Sequence, residues 1–249
     1  MIETENLNYT YPQNHAPSVR DLSLSIPEGA LACLLGNNGS GKTTLLHILA
    51  GLLKAEGALR ILGRSFADGA DEIRAALALL PQEPDLYILG STVAEDLRLS
   101  SARDEAAALA RAAELAGRFG LEALMDKPVH ALSHGEKRKL CLASALAGAP
   151  RLLLMDEPFA GLDYPAALEL RRILIANKAQ GITQVVSLHD LELLGDVADL
   201  CLVLQDGGLA LAGRPMEIYP RLAGFGLKTP CWWLCGRASP PVTAPNNNE

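Results

Sequence analysis

A glycine-rich loop between an apolar run and a helical pattern limits the folds open to this chain. Residues 36–43 read Gly-Asn-Asn-Gly-Ser-Gly-Lys-Thr, which satisfies the pattern G-x-x-x-x-G-K-[ST]. The loop follows the continuous apolar run 30–35, typical of a strand covered on both faces, and leads into a predicted helix. Glycines let backbone amides close around phosphate oxygens, and a helix N-terminus adds a favourable dipole. The sequence therefore predicts a phosphate-binding loop, with a chance match in an ordinary strand-turn-helix unit as the alternative.

The side chains of this loop have separate expected roles. Lys42 is expected to reach the β- and γ-phosphates of a nucleotide, and the Thr43 hydroxyl is expected to ligate Mg²⁺. The residues predicted to surround the phosphates are Gly36, Asn37, Asn38, Gly39, Ser40, Gly41, Lys42, Thr43 and Thr44.

Two acids at the end of a second apolar run complement the loop. The run 152–155 is followed directly by Asp156 and Glu157. Asp156 is placed to hold Mg²⁺ through water, and Glu157 is placed to orient or polarise an attacking water. A buried strand that merely ends in solvated acids is the alternative interpretation.

Bulk properties exclude several classes of protein. The formal net charge is −7, which argues against affinity gained by neutralising nucleic-acid phosphates, so no nucleic-acid partner is expected. The acidic start does not resemble a secretory signal, and no uncharged apolar stretch approaches the roughly 20 residues that span a bilayer. Any membrane path is therefore expected from a partner. Five cysteines, an odd number, indicate reduced thiols in a cytosolic protein, with metal binding by Cys231 and Cys235 as the alternative.

The order of the patterns predicts one large α/β domain with an inserted subdomain. Strand patterns at the start and in the second half flank a stretch from about 85 to 148 where helical patterns take over. The predicted strands are Ile2–Tyr9, Ser18–Ile26, Ala30–Leu35, Leu152–Met155, Thr183–Leu188 and Leu200–Gln205. The predicted helices are Lys42–Leu52, Asp104–Arg118, Glu136–Ala147, Tyr164–Gln180 and Asp190–Val197.

The segment Leu132-Ser133-His134-Gly135-Glu136 resembles the signature of the ATP-binding-cassette (ABC) family, a Ser-Gly-Gly-Gln-like stretch at a helix N-terminus. By spacing alone, Ser133 and Glu136 form an S-x-x-E capping box, so a well-made helix start is the simpler interpretation. The resemblance implies that this helix end, with Ser133, Gly135 and Glu136, binds the γ-phosphate of ATP held by another subunit. His134 stands where the family usually has glycine, and Glu136 where it usually has glutamine.

Further residues fall in the order of the family's motifs. The resemblance implies that Gln82 senses Mg²⁺ and the attacking water, that Asp163 contacts the opposite subunit, and that His189 touches the γ-phosphate. Tyr11 is similar to the aromatic residue that stacks on adenine. Taken singly, His189 is an ordinary loop residue, and Tyr11 beside a proline is more often part of a turn.

The resemblance covers residues 1 to about 220 and implies both a fold and an activity. The expected fold is α/β, a P-loop NTPase core of the RecA-like type with an antiparallel β subdomain and an α-helical subdomain inserted at about 85–148. Residues 221–249 are expected to form a partly irregular tail. The implied activity is hydrolysis of ATP with Mg²⁺, in a subunit that powers a membrane transporter. Its expected partners are a second ATPase subunit and transmembrane subunits, at the cytoplasmic face of the membrane.

Residues 82–96 are similar to the energy-coupling-factor and cobalt-type members of the family, which import vitamins or transition-metal ions. In that group the segment docks basic residues of transmembrane coupling helices, which makes Asp85, Glu95 and Asp96 candidate acceptors. A solvated acidic surface is the alternative.

Two other classes of function compete with transport. A soluble family member acting on DNA or ribosomes is disfavoured because Ser133 lies only 91 positions after Lys42, too few for a coiled-coil arm, and because the chain has one phosphate loop. A P-loop kinase or GTPase would share the first two motifs but would leave Ser133, Asp163 and His189 unexplained.

Overall fold

A six-stranded sheet forms the centre of the molecule in a computed structural model that describes residues 1–13, 15–101 and 105–236. Its strand order is β5-β6-β7-β3-β8-β9, and all neighbours are parallel except β8 and β9. A second, antiparallel sheet has the order β2-β1-β4. The strands are β1 (Ile2–Tyr9), β2 (Val19–Ile26), β3 (Leu31–Leu35), β4 (Glu56–Ile61), β5 (Leu77–Leu80), β6 (Leu152–Met155), β7 (Thr183–Leu188), β8 (Leu200–Gln205) and β9 (Gly208–Gly213).

Helices cover the central sheet and fill the interval between β5 and β6. They are α1 (Lys42–Leu49), α2 (Phe66–Ala76), α3 (Val93–Leu99), α4 (Glu105–Phe119), α5 (His134–Ala147), α6 (Tyr164–Ala179), α7 (Pro215–Ile218) and α8 (Cys231–Leu234). Short 3₁₀ turns lie at Pro84–Leu86, Glu122–Leu124, Val129–Ala131 and Tyr219–Phe225. Among the described helices, none has both the length and the apolar character needed to cross a membrane.

The alternation of side chains along β3 explains why its sequence is apolar throughout. Cys33 and Leu35 belong to a core shared with α3, α4 and α5, whereas Ala32 and Leu34 belong to a second core shared with α1 and the antiparallel sheet. Successive residues of a strand point to opposite faces, so a strand covered on both sides needs an unbroken apolar run. The α/β class predicted from this pattern is confirmed.

All six predicted strands are confirmed, each within one residue of its predicted bounds, whereas some of the predicted helices differ. The helix after the phosphate loop ends at Leu49 instead of Leu52 because Gly51 adopts a φ of 70°. The predicted helix from Asp104 has its first residue outside the described part of the chain, and α4 begins at Glu105 in the structure. Sequence reasoning missed the strands β4, β5 and β9, which have only four to six residues, and the helix α2.

The predicted helix Asp190–Val197 is wrong, since this segment forms a series of turns. The Asp190 side chain accepts a hydrogen bond from the Glu192 amide at 3.0 Å, and the Asp190 backbone pairs with Lys228. The first contact is of the kind that caps a helix, but the residues after Asp190 form turns instead.

The chain after residue 220 folds back onto the core as far as the structure describes it. Trp232 and Trp233 pack against the buried Tyr219, with ring centroids 5.7 and 5.5 Å from it. Residues 237–249, the end of the predicted tail, lie outside the described residues.

Candidate functional site

The carboxyl ends of four neighbouring strands meet at one edge of the central sheet. In the order β5, β6, β7 and β3, these ends lead into Gln82, the pair Asp156 and Glu157, His189, and the glycine-rich loop. Parallel strands present their ligand-binding residues at this edge, where loops connect strands to helices. The sheet topology therefore gathers residues that are up to 153 positions apart, from Gly36 to His189.

The glycine-rich loop is tightly built and leaves its lysine enclosed. A Cβ atom on Gly36 would lie 2.6 Å from the carbonyl oxygen of Leu204, and one on Gly41, whose φ is 101°, would collide with the carbonyl of Ser18. Lys42 Nζ donates to the carbonyl oxygens of Gly36 at 2.7 Å and Asn37 at 3.3 Å. These two hydrogen bonds hold the Lys42 ammonium against the loop.

The loop also carries features that suit an anionic ligand. Burial lowers the pKa of Lys42, while the negative charges of Glu157 and Asp156 act in the opposite direction. Within the described residues, Ser40 Oγ is buried and has no hydrogen-bond partner. A buried hydroxyl without a partner is costly unless a ligand or water satisfies it, so Ser40 fits a loop that closes on phosphate.

The Thr43 hydroxyl and the Asp156 carboxylate form an oxygen pair at the mouth of the loop. Thr43 Oγ1 donates to Asp156 Oδ2 at 2.7 Å, and Asp156 is only 4% exposed. Hydroxyl, carboxylate and water oxygens are the ligands that Mg²⁺ prefers. The donor set therefore fits a magnesium ion.

Glu157 is held between two polar side chains. His189 Nε2 lies 2.8 Å from Glu157 Oε1, and Gln82 Nε2 donates to Glu157 Oε2 at 3.4 Å. The φ of Glu157 is 47°, an uncommon value for a residue with a side chain. The carboxylate is thus fixed by His189 and Gln82, its charge acts on Lys42, and it can accept a proton from water.

Sequence reasoning missed Ser187, which joins the two acids. Its Oγ donates to Asp156 Oδ1 at 2.5 Å and accepts a hydrogen bond from the Glu157 amide at 2.8 Å. Ser187 is fully buried on β7, next to β6. The available signal was a hydroxyl residue two positions before His189, at the end of a predicted buried strand.

Arg138 is a second residue that sequence reasoning did not single out. Its guanidinium is buried and donates to the carbonyl oxygens of Pro81 at 3.0 Å and Gln82 at 2.7 Å. Its neighbour Lys137 pairs with Asp85 at 2.6 Å. Helix α5 is therefore fastened directly to the segment that presents Gln82.

The predicted capping box at the start of α5 is confirmed. Ser133 Oγ accepts a hydrogen bond from the Glu136 amide at 3.2 Å, and Glu136 Oε2 accepts one from the Ser133 amide at 2.7 Å. The hydrogen bond from the Ser133 backbone is the main cause that lowers the pKa of Glu136, with Lys127, 3.2 Å away, adding to it and burial opposing it.

The capping-box helix end and Asp163 form a group separate from the phosphate loop within one chain. His134 Nε2 lies 3.3 Å from the Ala160 carbonyl oxygen, and Asp163 caps α6 by accepting a hydrogen bond from the Ala166 amide at 3.0 Å. A Cβ on Gly135 would reach only the Ala166 side chain, at 4.0 Å, which leaves space beside it. Among the described hydrogen bonds, those of Ser133, Glu136 and Asp163 do not reach residues 36–44.

Tyr11 lies beside the start of α1. Its hydroxyl is 3.5 Å from Thr44 Oγ1, and its ring packs edge-on against Tyr9 with centroids 4.9 Å apart. Tyr11 thus borders the phosphate loop. Asn37, within the loop, donates to the carbonyl of Phe225 at 3.1 Å.

The structure contradicts the interpretation of Asp96 as a docking residue. Asp96 is 1% exposed and accepts hydrogen bonds from the Leu89 and Gly90 amides and from Ser144 Oγ. Its role is to close the turn before α3. Glu95 accepts a hydrogen bond from the Ser91 amide at 2.7 Å, and the partner of Asp85 is Lys137.

A phosphate loop at the carboxyl edge of a parallel sheet, with paired acids on the adjacent strand, defines the class of P-loop nucleotide hydrolases. Comparison with known proteins makes the assignment specific. The model of the ABC transporter family matches residues 19–160, more than half of the chain, and the chain belongs to this family. It is therefore an ATP-binding and ATP-hydrolysing cassette.

Similar proteins share nearly the whole length of the chain. It is 35% identical to the energy-coupling factor transporter ATP-binding protein EcfA of Methanothermobacter thermautotrophicus over 88% of this chain and 72% of that protein. It is 34% identical to the cobalt import ATP-binding protein CbiO of Rhodobacter capsulatus over 92% of this chain and 85% of that protein. Among solved structures, a dimeric ATP-binding cassette in a post-hydrolysis state with ADP and Pi matches with a TM-score of 0.78 and 26% identity, covering 86% of this chain and 99% of that one.

Proposed function

We propose that this chain binds ATP with Mg²⁺ between two ATPase subunits and hydrolyses it to power a transporter that imports a vitamin or a transition-metal ion. The observation that carries the proposal is the position of Glu157, held by His189 and Gln82 beside the Thr43–Asp156 pair. The names of the similar proteins, an energy-coupling factor subunit and a cobalt import subunit, support transport over a soluble function. We place the chain at the cytoplasmic face of the membrane, held there by transmembrane subunits.

The site residues divide the work of hydrolysis. Lys42 exchanges its two carbonyl partners for β- and γ-phosphate oxygens, and the amides of the loop and the Ser40 hydroxyl surround the phosphates. Glu157 orients the attacking water and accepts its proton, and His189 contacts the γ-phosphate. When bound through Thr43, Asp156 and Gln82, Mg²⁺ neutralises charge on the phosphate oxygens.

A second subunit completes the site. Ser133, Gly135, Glu136 and Asp163 lie in a group of their own within one chain, at the starts of α5 and α6. A helix N-terminus with free amides binds anions well, so this group suits the γ-phosphate of a nucleotide held by another chain. The dimeric state of the similar cassette supports this arrangement.

ATP-dependent association tests the proposal. We expect Glu157→Gln to bind ATP with near wild-type affinity and to form a stable dimer with ATP, because it retains the phosphate loop but turns over roughly 10²–10⁴-fold more slowly. Lys42→Ala is the matched control, since it loses a phosphate contact and should bind ATP weakly and stay monomeric. Sedimentation velocity and a nucleotide-binding titration measure both properties. Equal loss of ATP binding in the two variants, or a Glu157→Gln protein that is monomeric with saturating ATP, would contradict the proposal.

A further inference from the structure

Residues 225–233, called here the C-terminal segment, contact the site from two sides. On one side, Asn37 of the phosphate loop donates a hydrogen bond to the carbonyl oxygen of Phe225 at 3.1 Å. Gly226 lies directly against the same side chain, since a Cβ at Gly226 would be 3.5 Å from Asn37 Nδ2. The segment therefore starts in contact with the loop that surrounds the phosphates.

On the other side, the segment contacts the residues that follow His189 through hydrogen bonds and an ion pair. The Asp190 backbone pairs with Lys228 in parallel fashion. Glu192 Oε1 accepts a hydrogen bond from the Cys231 amide at 2.8 Å and pairs with Lys228 Nζ at 3.0 Å. The backbone carbonyl of Glu192 also accepts a hydrogen bond from Trp232 Nε1 at 3.2 Å.

The electrostatics of Glu192 agree with a firm contact. Burial raises the pKa of Glu192, but hydrogen bonds from Cys231 and Lys228 outweigh it, so the pKa lies below the ordinary value. The bond to Glu192 raises the pKa of Lys228 in turn. Both groups are therefore charged near neutral pH, and the Glu192 side chain is only 25% exposed.

The C-terminal segment is anchored in the core. Thr229 Oγ1 donates to the carbonyl of Tyr219, whose ring packs against Trp232 and Trp233. Tyr219 in turn touches the loop after His189 closely, because a Cβ on Gly195 would lie 2.5 Å from the Tyr219 hydroxyl oxygen. The anchored end gives the segment a fixed position from which to hold that loop.

We propose that the C-terminal segment clamps the loop after His189 to the phosphate loop, with Glu192 and Lys228 as the positioning pair that sets where the His189 imidazole lies. The imidazole is half exposed and contacts Glu157 at 2.8 Å from the first residue after β7. Its position therefore depends on the backbone just beyond it, which Glu192 ties to the segment. The inference rests on the proposed function, because it gives His189 its role in hydrolysis.

A double-mutant cycle in steady-state ATPase assays tests the coupling. We expect Glu192→Ala to lower kcat about fivefold to tenfold with an unchanged Kd for ATP, since the phosphate loop itself is retained. In a His189→Ala background, Glu192→Ala should cause no further loss, because its effect acts through His189. Lys228→Ala should show the same pattern more weakly, since Glu192 keeps the hydrogen bond from the Cys231 amide. Glu28→Ala, which removes the exposed ion pair with Arg151, is the matched control and should leave kcat unchanged.

Hydrogen exchange of the nucleotide-free protein gives a readout that does not depend on turnover. We expect residues 189–194 to exchange faster in Glu192→Ala than in wild type and to be unchanged in the Glu28→Ala control. Unchanged exchange in Glu192→Ala would overturn the clamp. An equal loss of kcat on adding Glu192→Ala to the wild-type and to the His189→Ala protein would also overturn it. A wild-type chain that hydrolyses no ATP would instead overturn the proposed function, while the exchange result would still decide whether the clamp exists.

Discussion

At Ser187, a single hydroxyl fixes two acids at once. It donates to the Asp156 carboxylate and accepts from the Glu157 amide, so the candidate metal ligand and the candidate base share one support. Both bonds are inside the protein, where an unsatisfied polar group is expensive. The precision of the site thus depends on a residue that is not expected to touch the nucleotide.

We expect Ser187→Ala to raise the Mg²⁺ concentration needed for half-maximal ATPase activity and to lower turnover roughly tenfold. The physical reason is the loss of a hydrogen bond to a buried charged group, worth about 1.5–3 kcal/mol. ATPase assays over a Mg²⁺ titration at fixed ATP measure both effects, and Ser187→Thr should restore part of the activity.

Ser144→Ala is a matched control for this prediction. Ser144 is also a buried serine that donates to a buried aspartate, Asp96, at 2.6 Å, but it lies in the helical region. Ser144→Ala should lower the stability by about as much as Ser187→Ala does, and it should leave the Mg²⁺ dependence of ATPase activity unchanged. The same shift in Mg²⁺ dependence in both variants would show that Ser187 acts only through stability.

At the scale of elements, the start of α5 combines structural and functional demands. The capping box satisfies amides that would otherwise lack partners, and it holds the helix end in the conformation proposed to face a second nucleotide. Glu136 stands where the family usually has glutamine, and its ion pair with Lys127 adds a charge-dependent contact. The stability of this helix end should therefore depend on pH.

We expect Glu136→Gln to be less stable than wild type by about 0.3–1 kcal/mol near neutral pH. The pKa of Glu136 is lowered below its ordinary value of 4.5, so its stabilisation is fully present above 4.5 and is lost as the pH falls through the lower, folded-state value. Urea unfolding of both proteins across this range should show the difference in free energy of unfolding closing at acid pH. Glu56→Gln, on the exposed face of β4, is the control, and a difference independent of pH would contradict the assignment.

At the scale of the whole molecule, Arg138 connects the helical region to the site. Its buried guanidinium reaches from α5 to the carbonyls of Pro81 and Gln82, and Gln82 in turn contacts Glu157. The side chains of Arg138 and Gln82 therefore connect α5 to the candidate base. This connection suits a cassette that transmits the state of its nucleotide to a membrane partner.

We expect Arg138→Met to loosen the Gln82 segment, because the carbonyl groups of Pro81 and Gln82 lose a charged donor, and a hydrogen bond to a charged group is worth about 1.5–3 kcal/mol. Hydrogen exchange should speed up in residues 81–86, and transporter-stimulated ATPase activity should fall while ATP affinity persists. Arg111→Met is the control, since Arg111 links α4 to the Leu146 carbonyl at 2.9 Å within the helical region. Equal changes at residues 81–86 in both variants would argue against a specific connection.

The sequence alone determined features that depend on neighbouring residues. The apolar run of β3, the turn after it, the acids at the end of β6 and the capping box of α5 were all predicted, and the structure contains each of these elements. Backbone geometry and the periodicity of burial are local properties, which is why they can be read from the order of residues.

Only the tertiary structure decided which distant groups meet. Ser187 supports Asp156 across a strand pairing, 31 positions apart, and Arg138 reaches Gln82 from 56 positions away. Asp96 had the same acidic pattern as an exposed docking residue, yet the turn before α3 buries it. Such contacts depend on strand order and helix packing, which arise from the summed burial of the whole chain and leave no local signal in any one segment.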